Sequence, residues 1–149
     1  MAIDVSRASF DAELVTLSYR YAAAVDRRDL TALLSIFHPD ATLRAHPVGR
    51  NPMVLSSHRE LPKIIQAVEY WPRTHHLVGQ GLHHREKNRA TGEIYCTAHH
   101  FSSAQPGSGD DYVMFLRYVD EYIRGASGKW SILERSVLTD AVERRDVTA

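Results

Sequence analysis

The first half of the chain is patterned in threes and fours. Phe10, Leu14, Leu17, Tyr21 and Val25 recur at helical spacing, which predicts an amphipathic helix over residues 8–27. Asp29 has the chemistry of an N-cap for a short second helix that buries Leu30, Leu33, Leu34 and Phe37 and stops at His38-Pro39. A short strand is expected over residues 41–45, then an irregular loop over 46–56, which holds two prolines and a glycine. Ser57 and Glu60 have the spacing of a capping box ahead of a third helix, which carries Leu61, Ile64, Ile65 and Val68 and ends at Trp71-Pro72.

From His75 onward the period becomes two. Strands are predicted over 75–86, 91–103, 111–124 and 129–140, with turns around Asn88–Gly92, Gln105–Asp110 and Gly125–Gly128. Alternation puts Ile94, Cys96, Ala98 and His100 on one face of their strand and Tyr95, Thr97, His99 and Phe101 on the other. Tyr112, Met114, Leu116, Tyr118 and Asp120 share a face of the next strand. In the last strand Trp130 and Ile132 are expected to oppose Leu133, Arg135 and Val137. Helices followed by an antiparallel meander make an α+β layout, in which the sheet buries its apolar face against the helices.

Composition narrows the function classes. The 149 residues are 44% hydrophobic and 24% charged, enough for one core, and residues 1–149 are read as a single domain. Eighteen basic residues balance 18 acidic ones, which argues against a nucleic-acid partner. Cys96 is the only cysteine, so no internal disulfide is expected. No apolar run reaches the ~20 residues of a membrane span. Acidic residues stand in the first fourteen positions where a signal peptide would be apolar, so a cytoplasmic protein is expected.

Nine histidines, six of them in adjacent pairs, are the unusual feature. Adjacent strand residues diverge to opposite faces, so each pair sends at most one ring to a common site. The chain has no H-x-H and no H-E-x-x-H spacing, and neither a metal nor a cofactor is expected. His83 and His84 lie near a strand end and are expected to be solvated. Asp26 falls on the helix face of Val15, Tyr19 and Ala22, with small Ala22 and Ala23 beside it. It is either half of a pocket pair or a helix-end acid near Arg27 and Arg28. A carboxylate on one imidazole nitrogen would fix the tautomer and leave the other nitrogen to abstract a proton. Between His99 and His100, the smaller side chains of its face favour His100 as the cavity-lining residue.

Several segments together resemble the SnoaL-like branch of the nuclear transport factor 2-like superfamily. They are YAAAVDRRDLTALLSIFHPDATL (21–43), RTHHLVGQ (73–80), GEIYCTAHHF (92–101), RYVDEY (117–122) and GKWSILERSV (128–137). The resemblance implies a cone-like α+β barrel, with a strongly curved antiparallel sheet wrapped around N-terminal helices. Within that branch the chain is similar to scytalone dehydratases and hexachlorocyclohexane dehydrochlorinases, cofactor-free lyases that use an aspartate–histidine pair. Asp26, at the end of the first helix, and His76, after the R-T segment, match that pair. The surroundings differ: the positions of the dehydratase's two water-holding tyrosines fall on Val25 and Pro47, and an asparagine falls on Asp120. The dehydrochlorinase's arginine falls on Arg135, and its pocket lysine near Tyr21.

The resulting expectation is a cofactor-independent, dehydratase-like lyase with Asp26 and His76 catalytic, acting on a small cyclic, mostly apolar hydroxylated molecule. Tyr19, His100, Tyr118, Asp120 and Arg135 are the candidate substrate-binding residues. Arg135 would stabilise a developing anion or, alternatively, pair with an acid as a structural group. An isomerase, or a non-catalytic ligand-binding or assembly subunit of the same fold, is the alternative. A homo-oligomer is expected through the outer sheet face, a trimer by resemblance and a dimer otherwise.

Overall fold

The computed structural model describes residues 11–148. The expected helix start at residues 8–10, with Phe10, lies outside the described residues. Helix α1 (Ala12–Arg27) is capped by Asp11, whose carboxylate accepts from the Glu13 and Leu14 amides. It buries Leu14, Leu17, Tyr21, Ala24 and Val25. Arg28 ends it in the left-handed region at φ 57°. A non-glycine residue there is disfavoured by roughly 1–2 kcal/mol. Helix α2 (Leu30–Ile36) follows, with Asp29 accepting from the Ala32 amide as its N-cap.

Strand β1 (Phe37–His46) begins four residues earlier than expected, directly at the helix end, since Pro39 is barred from a helix interior but not from strand. The expected loop over 46–56 contains β2 (Met53–Ser56), which pairs antiparallel with β1 and buries Leu55. The expected third helix is two short ones, α3 (Ser57–Glu60) and α4 (Lys63–Val68), divided at Leu61-Pro62. Proline supplies no amide to continue the ladder. The capping box does not form around Ser57, whose φ is 63°; the Glu60 carboxylate instead accepts from the Ser56 amide.

Strands β3 (Arg73–Glu86), β4 (Arg89–Phe101), β5 (Asp110–Arg124) and β6 (Trp130–Asp146) form the antiparallel meander. The six-stranded sheet has the order β2-β1-β6-β5-β4-β3, curved and unclosed, with β3 at one edge. One pairing departs from the expectation: β1 runs parallel to β6. No helix among the described residues is long and apolar enough to cross a membrane.

Two bulges decide what faces inward on β6. Ile132 pairs with Tyr122 and Glu134 with Glu121, so Leu133 is an extra residue. An extra residue reverses the alternation. Trp130, Ile132 and Arg135, expected on opposite faces, are therefore all buried. A second bulge leaves Asp140 between the partners of Leu116 and Phe115, and Asp140 forks onto Arg117 at 2.7 Å.

Arg135 enters the core with its partners in place. Its guanidinium donates to both Asp120 oxygens at 2.8 and 2.6 Å and to the Ser18 hydroxyl at 2.8 Å. It lies between the rings of Tyr21 and Tyr118, 4.5 and 4.2 Å from their centroids. The Tyr122 hydroxyl donates to Asp120 at 2.7 Å. His83 is also buried, correcting the expectation of a solvated residue; it sits over Gly92, where a Cβ would come within 2.6 Å of its ring.

Removing one member of a buried ion pair strands the other charge. Asp120→Ala is expected to destabilise the fold by about 3–5 kcal/mol, while Asp120→Leu combined with Arg135→Met recovers most of it, both read from urea unfolding. Burial lowers the His83 pKa below the ordinary histidine value, against weaker opposing effects of Asp120 and Asp11. The unfolded chain thus binds a proton at His83 before the folded one does. This contribution is intact above about pH 6.5 and is lost as pH falls through the lowered folded value. His83→Phe should flatten the fall in unfolding free energy between neutral and acid pH relative to the wild-type protein.

Candidate functional site

The end of α1 meets the start of β3. As an edge strand, β3 leaves backbone amides on its outer side without sheet partners. Asp26, in the last turn of α1, takes one of them: the His76 amide donates to its Oδ2 at 2.9 Å. The Thr74 hydroxyl donates to Oδ1 at 2.8 Å, and His76 Nδ1 lies 2.7 Å from the same oxygen. Nδ1 faces a carboxylate and therefore carries the proton, which leaves Nε2 as the free lone pair.

Arg28 holds this junction together. One guanidinium nitrogen donates to Thr74 Oγ1 at 2.6 Å and to the Val25 and Asp26 carbonyls. The other donates to the carbonyls of Val68 and Trp71 at 3.2 and 2.8 Å. These five bonds offset the left-handed backbone at Arg28.

Burial by itself would raise the Asp26 pKa. The bonds from the His76 ring and amide, the imidazole's charge when protonated, and the Thr74 hydroxyl outweigh it and hold the carboxyl at about 2. Asp26 is therefore ionised throughout the neutral range.

His76 has two surroundings. On one side a groove of about 410 Å³ runs between α1 and β3, with Tyr19, Ala22, Ala23, Asp26, Arg27 and Leu77 among its walls. On the other side its ring meets that of His100, with centroids 5.9 Å apart. The His100 Nδ1 donates to the Tyr112 carbonyl at 3.0 Å, so its Nε2 also has a free lone pair. Burial lowers the His100 pKa and favours the neutral ring. Trp71 covers this cluster, 5.6 Å from His100 and stacked on Tyr112 at 5.8 Å. Among the described residues the Nε2 atoms of His76 and His100 have no hydrogen-bond partner, and both reach accessible space.

The expected site residues thus divide. Asp26, His76, Tyr19 and His100 gather at the α1–β3 junction. Tyr118, Asp120 and Arg135 do not: they form the buried network, with Arg135 committed to Asp120 and Ser18. A buried guanidinium needs a counter-charge, and Asp120 supplies it. His99 faces the opposite side of the sheet from His100, where its Nδ1 lies 2.7 Å from Asp111. Cys96 is a buried wall residue whose thiol is pushed up to about 11 by burial. Among the described residues no three histidine, cysteine or carboxylate side chains converge as metal ligands would.

Sequence reasoning missed Thr74, Arg28, Trp71 and Tyr112. Thr74 had a signal, being two residues before His76 and so on the same strand face. Arg28 and Trp71 had none, because the contacts that tie them to Thr74, to His100 and to each other join residues far apart in the chain.

The SnoaL-like domain model matches residues 6–136. No curated protein matches the sequence. Among solved structures, a protein from Kribbella flavida is similar at 25% identity and TM-score 0.75, covering 89% of this chain and 91% of that one. A scytalone dehydratase candidate from Novosphingobium aromaticivorans aligns at 15% identity and TM-score 0.72, over 91% of this chain and 89% of its own. A hexachlorocyclohexane dehydrochlorinase from Novosphingobium barchaimii aligns at 15% identity and TM-score 0.75, over 90% and 88%. The last two share the fold, and the match over most of its length makes this chain a member of the SnoaL-like domain family.

Proposed function

We propose that the chain is a dehydratase-type lyase in which His76 is the base and Asp26 its orienter. The observation that carries this reading is the 2.7 Å contact between an ionised Asp26 and His76 Nδ1, with Nε2 left free. Nε2 takes a proton from a carbon next to a carbonyl or leaving group. The electron pair of that C–H bond closes a carbon–carbon double bond, and hydroxide departs. The proton held on His76 then passes to the hydroxide as water. Asp26 balances the transient imidazolium. Tyr19, on the wall of the groove, and neutral His100, beside the His76 ring, are the candidate groups for orienting a small cyclic hydroxylated substrate from one side or the other. None of these steps calls on a cofactor. Returning the proton to a different carbon would make the same pair an isomerase.

A non-catalytic, ligand-binding role is the second reading. Its support is the filling of the cone interior by Tyr21, Phe37 and Tyr118, whose rings meet edge to face, and the open form of the groove beside Asp26.

His76→Ala removes the proton acceptor, and Asp26→Asn keeps the size but removes the charge. Both are expected to lower turnover of a hydroxylated cyclic ketone by at least ~10²-fold with a smaller change in KM. His75→Ala, on the opposite face of β3, should leave turnover unchanged. Turnover that survives His76→Ala would remove the lyase reading. The proposal extends to association of copies through the outer sheet face, where Leu77, Tyr95 and Phe115 are exposed. Light scattering should then give a multiple of 16.9 kDa, and the monomer mass would refute it.

A further inference from the structure

The inner face of the sheet carries two adjacent rows beside the base. In one, Thr74, His100, Tyr112 and Arg144 stand opposite one another across β3, β4, β5 and β6; in the other, His76, Ala98, Met114 and Val142 do. Cross-strand partners share a face, so Arg144 and Val142 project to the same side as His76. Val142 is 39% exposed and Arg144 is exposed. The Arg144 guanidinium lies 5.6 Å from the Tyr112 ring centroid, and among the described residues it has no carboxylate partner. Its neighbour Arg145 is on the other face, engaged by Asp111 and Glu143.

The site therefore has a base at one end and an uncommitted cation at the other. Three strand spacings separate them, roughly 14 Å on a flat sheet, and both side chains reach inward from there. Between them lie the Tyr112 and Trp71 rings. Arg135, the cation that the chain pattern suggested for this role, is already neutralised by Asp120.

We propose that Arg144 selects a substrate carrying an anionic group, a carboxylate or an ionised acidic hydroxyl, on a body that lies against Trp71 and Tyr112. The inference rests on the placing of the reacting carbon at His76. It makes Arg144, and not Arg135, the residue that reads the substrate's charge. The step at His76 is unchanged.

Trp71 reports on this directly. In a Trp130→Phe background it is the sole tryptophan, since the chain has two. The probes are 2-naphthoate and its uncharged isostere 2-naphthamide, titrated by fluorescence. Quenching by the naphthoate is expected at about tenfold lower concentration than by the amide, the size of a hydrogen-bonded charge pair. Arg144→Gln should erase that difference, while Arg27→Gln, in the groove on the other side of His76, should not. Arg144→Lys should restore part of it. Equal affinity for the two probes, no quenching by either, or loss of the preference in Arg27→Gln alone would each overturn the proposal. Anion preference that depends on Arg144, together with turnover indifferent to His76→Ala, would leave this inference standing and remove the lyase reading. Turnover that depends on His76 but is the same in Arg144→Gln for acidic and neutral substrates would do the reverse.

Discussion

The carboxylate of Asp26 is the point on which the arrangement turns. It accepts from a backbone amide of the edge strand, from the Thr74 hydroxyl and from the His76 ring. A carboxylate has room for about four such bonds, so three leave it nearly saturated. Charge-assisted bonds of this kind are about twice as strong as neutral ones. They fasten the end of a helix to the one strand of the meander that has a free edge. Without them β3 would present an open ladder beside α1, and His76 would have no fixed tautomer. Arg28 ties the α4–β3 connection into the same knot through Thr74 and the Trp71 carbonyl. One junction thus sets the base, its orienting acid and the aromatic cover together.

Two aspartates paired with basic side chains in this fold do opposite things because their surroundings differ. Asp120 and Arg135 have 0% side-chain exposure, and every hydrogen bond they make is internal. Such a pair is a costly way to fill a core, since desolvation offsets much of the attraction, and it holds its partners in one register. Asp26 and His76 retain 24% and 7% side-chain exposure. They keep an uncommitted nitrogen beside a groove. A group with spare hydrogen-bonding capacity in reach of a ligand can exchange protons; a fully enclosed one cannot, even though the Arg135 Nη1 has no partner among the described residues.

The bulges are the link between chain and site. The extra residue at Leu133 brings Arg135 to the inner side with Ile132, and that of Asp140 resets the alternation before Val142 and Arg144. Neither bulge carries a glycine or a proline. Period-two counting works within each stretch of β6 and fails across them.

Helix periodicity, the cap at Asp29 and the alternation of β4 and β5 were legible in the chain, because they depend on neighbours within a few residues, whereas an extra residue between Val78 and Gly81 reverses the alternation of β3 and turns His83 inward. So was the likeness that singled out Asp26 and His76, although spacing alone left Asp26 open as a helix-end acid. His100 rather than His99 followed from the small residues that share its face. What only the tertiary structure decided was longer in range. The parallel β1–β6 pairing, the short β2, the burial of His83 and the commitment of Arg135 to Asp120 each join residues far apart in sequence. For the strand pairings and for Arg135 the deciding term is the cost of leaving an amide or a charge without a partner once water is excluded, whereas His83 is buried with its Nδ1 unpaired and sits where Gly92 leaves room for its ring. That cost is set by what the fold brings near, and no local pattern of residues encodes it.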